Sequence, residues 1–155
     1  GEYAFKNSGL TTIALSSNLI SIGNSAFESS SLTNITLPNT LETIYDNVFY
    51  GCTQLTSVVI PSATYIGNRV FYACEELTSV TLPSNLVSIG QAAFFQCRLL
   101  PSIIIPASTM YMGSSVFDDC DSLTINCEAP SKPMGWSFLW NTDNRPVVWW
   151  YYAGS

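Results

Sequence analysis

Histidine is absent from this chain, and charge of either sign is scarce: 5 lysines and arginines stand against 11 acidic residues in 155 positions. Without an imidazole, no side chain changes charge near neutral pH at its ordinary pKa. No Ser-His or Cys-His nucleophile can be assembled within the chain. Lys6, Arg69, Arg98, Lys132 and Arg145 are too few and too scattered for a phosphate-binding face. The net charge of −6 argues the same way. Charged residues make up 10% of the chain, where a globular domain carries about 25%. Ser, Thr and Asn supply the surface polarity instead. The longest apolar run, Val147 to Ala153, is far too short for a membrane-spanning helix. Neither a phosphate-cradling glycine loop nor a dinucleotide fingerprint occurs.

What the chain does have is a repeat. In the stretch Leu77 to Cys97, LTSVTLPSNLVSIGQAAFFQC, apolar residues fall at Leu77, Val80, Leu82, Leu86, Ile89, Ala93 and Phe94, punctuated by Pro83 and Gly90 and closed by Cys97. The same template fits from Leu10, Leu32, Leu55 and Leu100, and a further start lies at Leu123. Successive starts are 22, 23, 22, 23 and 23 residues apart. A fixed period of roughly 20 to 29 residues is the signature of a leucine-rich solenoid. The departures are few. Ser16 stands for the proline and Ser30 for the cysteine of the first copy, and Tyr45 stands for the glycine of the second. The third copy is one residue short between Pro61 and Ile66.

The motif LxxIxLPxxLxxIGxxAFxxC resembles the BspA-like branch of leucine-rich repeat proteins, over residues 4 to about 126. The resemblance implies a bacterial cell-surface or secreted protein whose role is adhesion, with a host or bacterial surface protein or a glycan as partner. Residues 127–155 hold all four tryptophans, Trp136, Trp140, Trp149 and Trp150. Their surroundings (Cys-Glu-Ala, Gly-Trp, Trp-Asn, Pro-Val-Val-Trp) are similar to the ends of bacterial members of that family. The opening GEYAFKNSG places Ala4 and Phe5 in the Ala-Phe slot and reads as the closing third of a repeat. The expectation is a piece of a longer protein whose targeting signals lie upstream.

Each copy begins with a short alternating run such as Ser79-Val80-Thr81-Leu82, which predicts a strand with one buried face. Proline ends it. A second alternating run, Leu86 to Ile89, predicts a shorter strand, and Gly90 a turn of positive φ. The Ala-Phe segment is too short for a full helix and predicts one helical or 3₁₀ turn. The expected fold is therefore a β-rich, right-handed, slightly curved leucine-rich solenoid with parallel sheets and short helical turns. It comprises a partial coil at 1–9, five full coils, and an aromatic C-terminal cap at 127–155 in which Pro146 to Tyr151 adds a last strand. Capping is needed because a coil buries its apolar face only against its neighbours.

The candidate chemistry is thin. Cys52, Cys74, Cys97 and Cys120 share one repeat position and predict a column along the solenoid. With no CxxC pair and no histidine, a buried small-residue slot is favoured over a metal or redox site. Cys127 stands apart, with a disulfide to Cys120 the less favoured alternative. Asp118, Asp119 and Asp121 suggest a calcium or sugar site, but Glu75 and Glu76 occupy the equivalent turn and favour a solvated one. No catalytic residue, cofactor or metal site is expected.

Two surfaces remain as candidates for contact. The outward positions of the main strands are Asn34 and Thr36, Ser57 and Val59, Ser79 and Thr81, and Ser102 and Ile104, preceded by Thr12 and Ala14 of the first copy. They form a small, uncharged, flat face. Tyr50, Tyr72 and Phe95 each follow the core phenylalanine of their copy and predict an aromatic ladder on the far side. The leading expectation is a non-enzymatic, monomeric interaction module without membrane insertion. The alternatives are a rigid spacer with no ligand and a carbohydrate module working through the C-terminal tryptophans.

Overall fold

A computed structural model describes residues 1–152, and three walls of inter-coil contact organise it. The main strands are β2 (Asn34–Thr36), β4 (Ser57–Val59), β6 (Ser79–Thr81), β8 (Ser102–Ile105) and β10 (Thr124–Cys127). The second strands are β1 (Ser21–Ile22), β3 (Thr43–Ile44), β5 (Tyr65–Ile66), β7 (Ser88–Ile89) and β9 (Tyr111–Met112). A last strand, β11 (Val147–Val148), pairs with β10. Every pairing is parallel. The second strands form one continuous sheet in the order β1-β3-β5-β7-β9. The main strands form two: β2-β4-β6, and β8-β10-β11. The 22- and 23-residue period returns the same side chain to the same place, as in Ile35↔Val58↔Val80 and Ile44↔Ile66↔Ile89.

The third wall is the Ala-Phe segment, and here the expected helical turn does not form. Each coil instead places two residues four apart in the left-handed region: Ser25 and Ser29, Asn47 and Gly51, Arg69 and Ala73, Ala92 and Gln96, Ser115 and Asp119, with φ between 52° and 66°. A left-handed residue after every few right-handed ones stops a helix from propagating. It also turns alternate N–H groups out of the coil. Phe27 N donates to Val48 O at 3.0 Å, Phe49 N to Val70 O at 2.9 Å and Phe71 N to Ala93 O at 2.7 Å, with parallel bonds two residues to either side. The remaining amides close three-residue turns within the coil, such as Cys74 N to Phe71 O at 3.2 Å. The backbone of this wall is thus satisfied by the next coil, as a sheet would be.

Inside it, Phe5, Phe27, Phe49, Phe71, Phe94 and Phe117 stack with centroids 5.1 to 5.7 Å apart. All but Phe5 are buried. The repeated glycine does not carry the positive φ expected of it. A Cβ on Gly90 would lie 2.5 Å from the carbonyl carbon of Gly67, and one on Gly113 2.4 Å from Gln91 N. These glycines are there because the backbones of successive coils touch.

The first copy departs from the template. Leu10 to Leu15 forms no strand, although Thr11 O still accepts from Thr33 N at 3.1 Å. Leu10, Ile13, Leu15 and Leu19 are only half-buried. The other end is closed. Trp140 meets Phe117 edge-on at 6.2 Å, Trp136 meets Trp140 at 4.8 Å, and Trp136 Nε1–H donates to Thr109 O at 3.0 Å. Both rings are buried, and Trp149 packs over them half-buried. The expected last strand is realised as Val147–Val148, and the last three residues of the expected cap lie outside the described ones.

Candidate functional site: the main-strand face

Alternation places every second residue of the main strands outward. Asn34, Ser57 and Ser79 fall in one register row, and Thr36, Val59 and Thr81 in the next. Six of these eight outward residues (Asn34, Thr36, Val59, Ser79, Thr81 and Ser102) are exposed. Ser57 and Ile104 are half-buried. The side chains between them (Ile35, Val58 and Ile103) point inward and are buried. The face is therefore a grid of short hydroxyl and amide side chains at strand spacing. Threonines at its edge reinforce the stack: Thr56 Oγ1 donates to Thr33 O at 2.9 Å and Thr78 Oγ1 to Thr56 O at 3.2 Å.

One residue interrupts this grid. Thr33, Thr56, Thr78 and Thr124 each donate their N–H to the coil before. At the same position of the fifth copy stands Pro101, which has no N–H to give. β6 and β8 lie side by side, yet no ladder joins them. Leu37 N donates to Val59 O and Ile60 N to Thr81 O, but Leu82 N has no counterpart bond. Val80 and Leu82 become half-buried where their equivalents Val58 and Ile60 are fully buried. A slot of about 310 Å³ opens between the strands. Its signal was in the sequence: a proline where the other copies carry threonine.

The aromatic row forms as expected. Tyr50 and Tyr72 stack at 4.9 Å, Tyr72 and Phe95 at 4.7 Å, with planes within 11°. All three are half-buried. Ring faces are consumed by the stack, so the row presents edges and hydroxyl tips to solvent. Arg69, Gln91 and Ser115 flank it across a shallow groove. A second polar ladder escaped sequence reading. Asn24 Oδ1 accepts from Asp46 N at 3.1 Å, Asp46 Oδ1 from Asn68 N at 2.8 Å, and Asn68 Oδ1 from Gln91 N at 2.8 Å. The polar residue that follows each Gly or Tyr45 slot was its signal.

The cysteines form the predicted column, and all five are free and buried. Each of the four column thiols donates to the phenylalanine carbonyl of the coil before: Cys52 to Phe27 O at 3.0 Å, Cys74 to Phe49 O at 3.2 Å, Cys97 to Phe71 O at 3.3 Å, Cys120 to Phe94 O at 2.9 Å. Ser30 takes the slot in the first copy, its hydroxyl against Cys52 Sγ at 3.5 Å. Burial pushes the Cys74 and Cys97 thiols well above the ordinary range and Cys127 to about 12. Such thiols are poor nucleophiles. Cys120 and Cys127 are not joined.

The acidic group of the fifth coil is tied to the cap. Asp118 takes a hydrogen bond from Thr142, and Asp121 and Asp143 pair with Arg145 at 3.4 and 3.1 Å. The Asp119 backbone N–H, at 2.7 Å, and then the guanidinium hold Asp143 below the usual carboxylate range. Among the described residues, no set of three acidic or cysteine side chains is grouped to hold a metal ion. Trp136 and Trp140 are buried and cannot serve as a carbohydrate platform; Trp150 is exposed. No helix among the described residues is long and apolar enough to cross a membrane.

A model of the BspA type leucine rich repeat region matches residues 1–128 in 6 copies. The chain belongs to that family. Solved structures of bacterial repeat proteins resemble it. A leucine rich repeat protein of T. pallidum superposes with a TM-score of 0.60 at 25% identity, over 70% of this chain and 52% of that one. A leucine-rich repeat protein of Eubacterium ventriosum gives 0.58 at 26%, over 88% and 42%. A leucine rich cell surface protein of Faecalibacterium prausnitzii gives 0.64 at 20%, over 98% and 51%, a likeness of fold alone. The chain thus spans about half the length of these proteins, or less. A comparison with functionally curated proteins returns no match.

Proposed function

We propose that this chain is a non-enzymatic interaction module of a bacterial surface or secreted protein, binding a protein or glycan partner through the main-strand face. The observation that carries this reading is the register of that face. Asn34, Ser57 and Ser79, with Thr36, Val59 and Thr81 beside them, form rows of exposed short side chains on a rigid support. Such a surface recognises by many weak contacts rather than through one deep pocket, so single changes cost little. Family membership supports an interaction role. The likeness to the Faecalibacterium cell surface protein supports a surface location. The chemistry of the side chains adds no route to catalysis: the chain has no histidine to serve as a base, and the thiols are buried.

The test is binding of the described chain and of the triple variant Thr36→Lys, Val59→Lys, Thr81→Lys to an array of extracellular matrix proteins, bacterial surface proteins and glycans. The variant is expected to keep its cooperative unfolding and lose the contacts of the parent. Equal binding by both proteins would remove the main-strand face from consideration. Silence of the parent across the array favours a spacer.

A further inference from the structure

The slot at Pro101 is more than a defect in the sheet. It runs along β6 from Thr78 to Leu82, about 13 Å at strand rise. Its volume of about 310 Å³ lies at the lower edge of ligand-site sizes, and each water takes about 30 Å³. A further strand does not fit, because the other walls of these two coils, the Phe94–Phe117 stack and the β7–β9 pair, keep β6 and β8 adjacent. A single extended side chain does. The walls are apolar at Val80, Leu82 and Ile104, and Ser102 and Thr78 edge them with hydroxyls. Thr78 O has no donor from the next coil, unlike Thr33 O and Thr56 O.

One charged group lines the slot, Glu128. It follows β10 and stands at the end nearer Leu82. Its Oε2 accepts from Ala107 N at 3.1 Å, and its other oxygen has no partner among the described residues. No cation lines the slot, and the chain as a whole carries −6. A slot of mixed lining, with apolar side chains at Val80, Leu82 and Ile104 and a carboxylate at one end, suits a long side chain with an apolar stem and a cationic head. The guanidinium fits that end best, since its donors match a carboxylate in pairs.

We infer that the slot between β6 and β8 receives an arginine side chain of a protein partner, its stem against Val80 and Leu82 and its guanidinium on Glu128. This deepens the interaction reading above by naming the chemistry of one anchor on the partner. The slot adds one cationic-side-chain anchor at the edge of a grid whose other contacts are each weak.

The probe is N-acetyl-arginine amide, titrated into the ¹⁵N-labelled chain and followed by amide shifts, with N-acetyl-citrulline amide as the neutral isostere. The arginine compound is expected to give saturable shifts confined to β6, β8 and Glu128, in the millimolar range for a single side chain. Citrulline is expected to bind roughly fivefold more weakly, the difference between charged and neutral hydrogen bonds at a part-exposed site. Glu128→Gln should abolish that preference while leaving the slot open. Pro101→Thr restores the donor carried by the other copies and should remove binding of both compounds, with dispersed amide signals showing the fold intact. Equal affinity for the two compounds overturns the inference. So do shifts that survive Pro101→Thr, or no saturable shift at β6 and β8. An array partner that binds Glu128→Gln as well as the parent overturns it too while leaving the broader reading standing. Arginine binding with a silent array does the reverse.

Discussion

The Ala-Phe wall and the main-strand wall are built from the same repeats, yet one is continuous and the other is broken. In the Ala-Phe wall, inter-coil bonds keep one pattern from Tyr3 N to Asn24 O through to Gln96 N to Asp118 O, and Ser115 N and Val116 N carry them on to the cap at Leu139 O and Trp140 O. Six phenylalanines stack along it, and cysteine thiols tie each of four coils to the one before. In the main-strand wall a single proline opens a slot. The difference follows from where the side chains go. The Ala-Phe wall buries its side chains and exhausts its backbone bonds, so a poor residue there breaks both. The main-strand wall sends alternate side chains to solvent, and one lost amide leaves the core of the neighbouring coils in place. Variation between copies is therefore tolerated where a partner can reach it.

Alkaline pH should strike the continuous wall hardest. The ordinary thiol value is 9.0, and burial in this wall raises Cys74 and Cys97 well above it. Folded thiols thus hold protons that unfolded ones release. Their contribution is fully present below pH 9 and is lost as pH rises through the folded values. Urea midpoints should hold up to pH 9 and fall from there to pH 11, and a Cys74→Ala, Cys97→Ala variant should flatten the slope. A flat profile in the parent would show that the column is not sealed from solvent.

Phe71→Ala should cost about 4 kcal/mol, the range for a fully buried phenylalanine. Phe71 stacks on both Phe49 and Phe94, so unfolding should also lose cooperativity on either side of the gap. Comparison of fluorescence and circular dichroism transitions would reveal it. By contrast, Pro101→Thr in the broken wall should stabilise by about 1 to 2 kcal/mol, one or two recovered ladder bonds at about 1 kcal/mol each. Calorimetry of that variant tests whether the proline alone keeps β6 and β8 apart. A Tm at or below that of the parent would assign the gap to something else.

Much of this was legible in the sequence because the repeat averages out local ambiguity. The strands, the buried row of Phe27, Phe49, Phe71, Phe94 and Phe117, the cysteine column and the stacked Tyr50, Tyr72 and Phe95 all follow from position within the period. The handedness of the Ala-Phe turns did not. Apolar spacing alone cannot tell a helical turn from one whose residues alternate in hand, and Ser, Ala, Gln, Arg and Asp at the left-handed positions send no common signal. The glycine slot was read as a turn because spacing records a glycine but not the backbone 2.5 Å away. For the candidate site, the outward residues could be named one by one. The slot could not, because it depends on an amide that Pro101 lacks rather than on a side chain.

The left-handed positions allow the finest test of the contrast. Among the described residues Gly51 is the one glycine of positive φ, at +66°, and Ala73 holds the same place one coil on at 57°. An alanine at 51 would adopt the conformation that Ala73 already does, at about 1 kcal/mol. Its Cβ would come within 3.1 Å of Ser29 Oγ, a side chain that can turn aside. Ala73→Gly should relieve the same strain, offset by the greater freedom of glycine in the unfolded chain, for a net gain of about 0.5 kcal/mol. Opposite signs in the two urea titrations would show that strain is held in every coil and balanced by the bonds the turn makes to the next. Matching signs would place the stability of this wall in its phenylalanines alone.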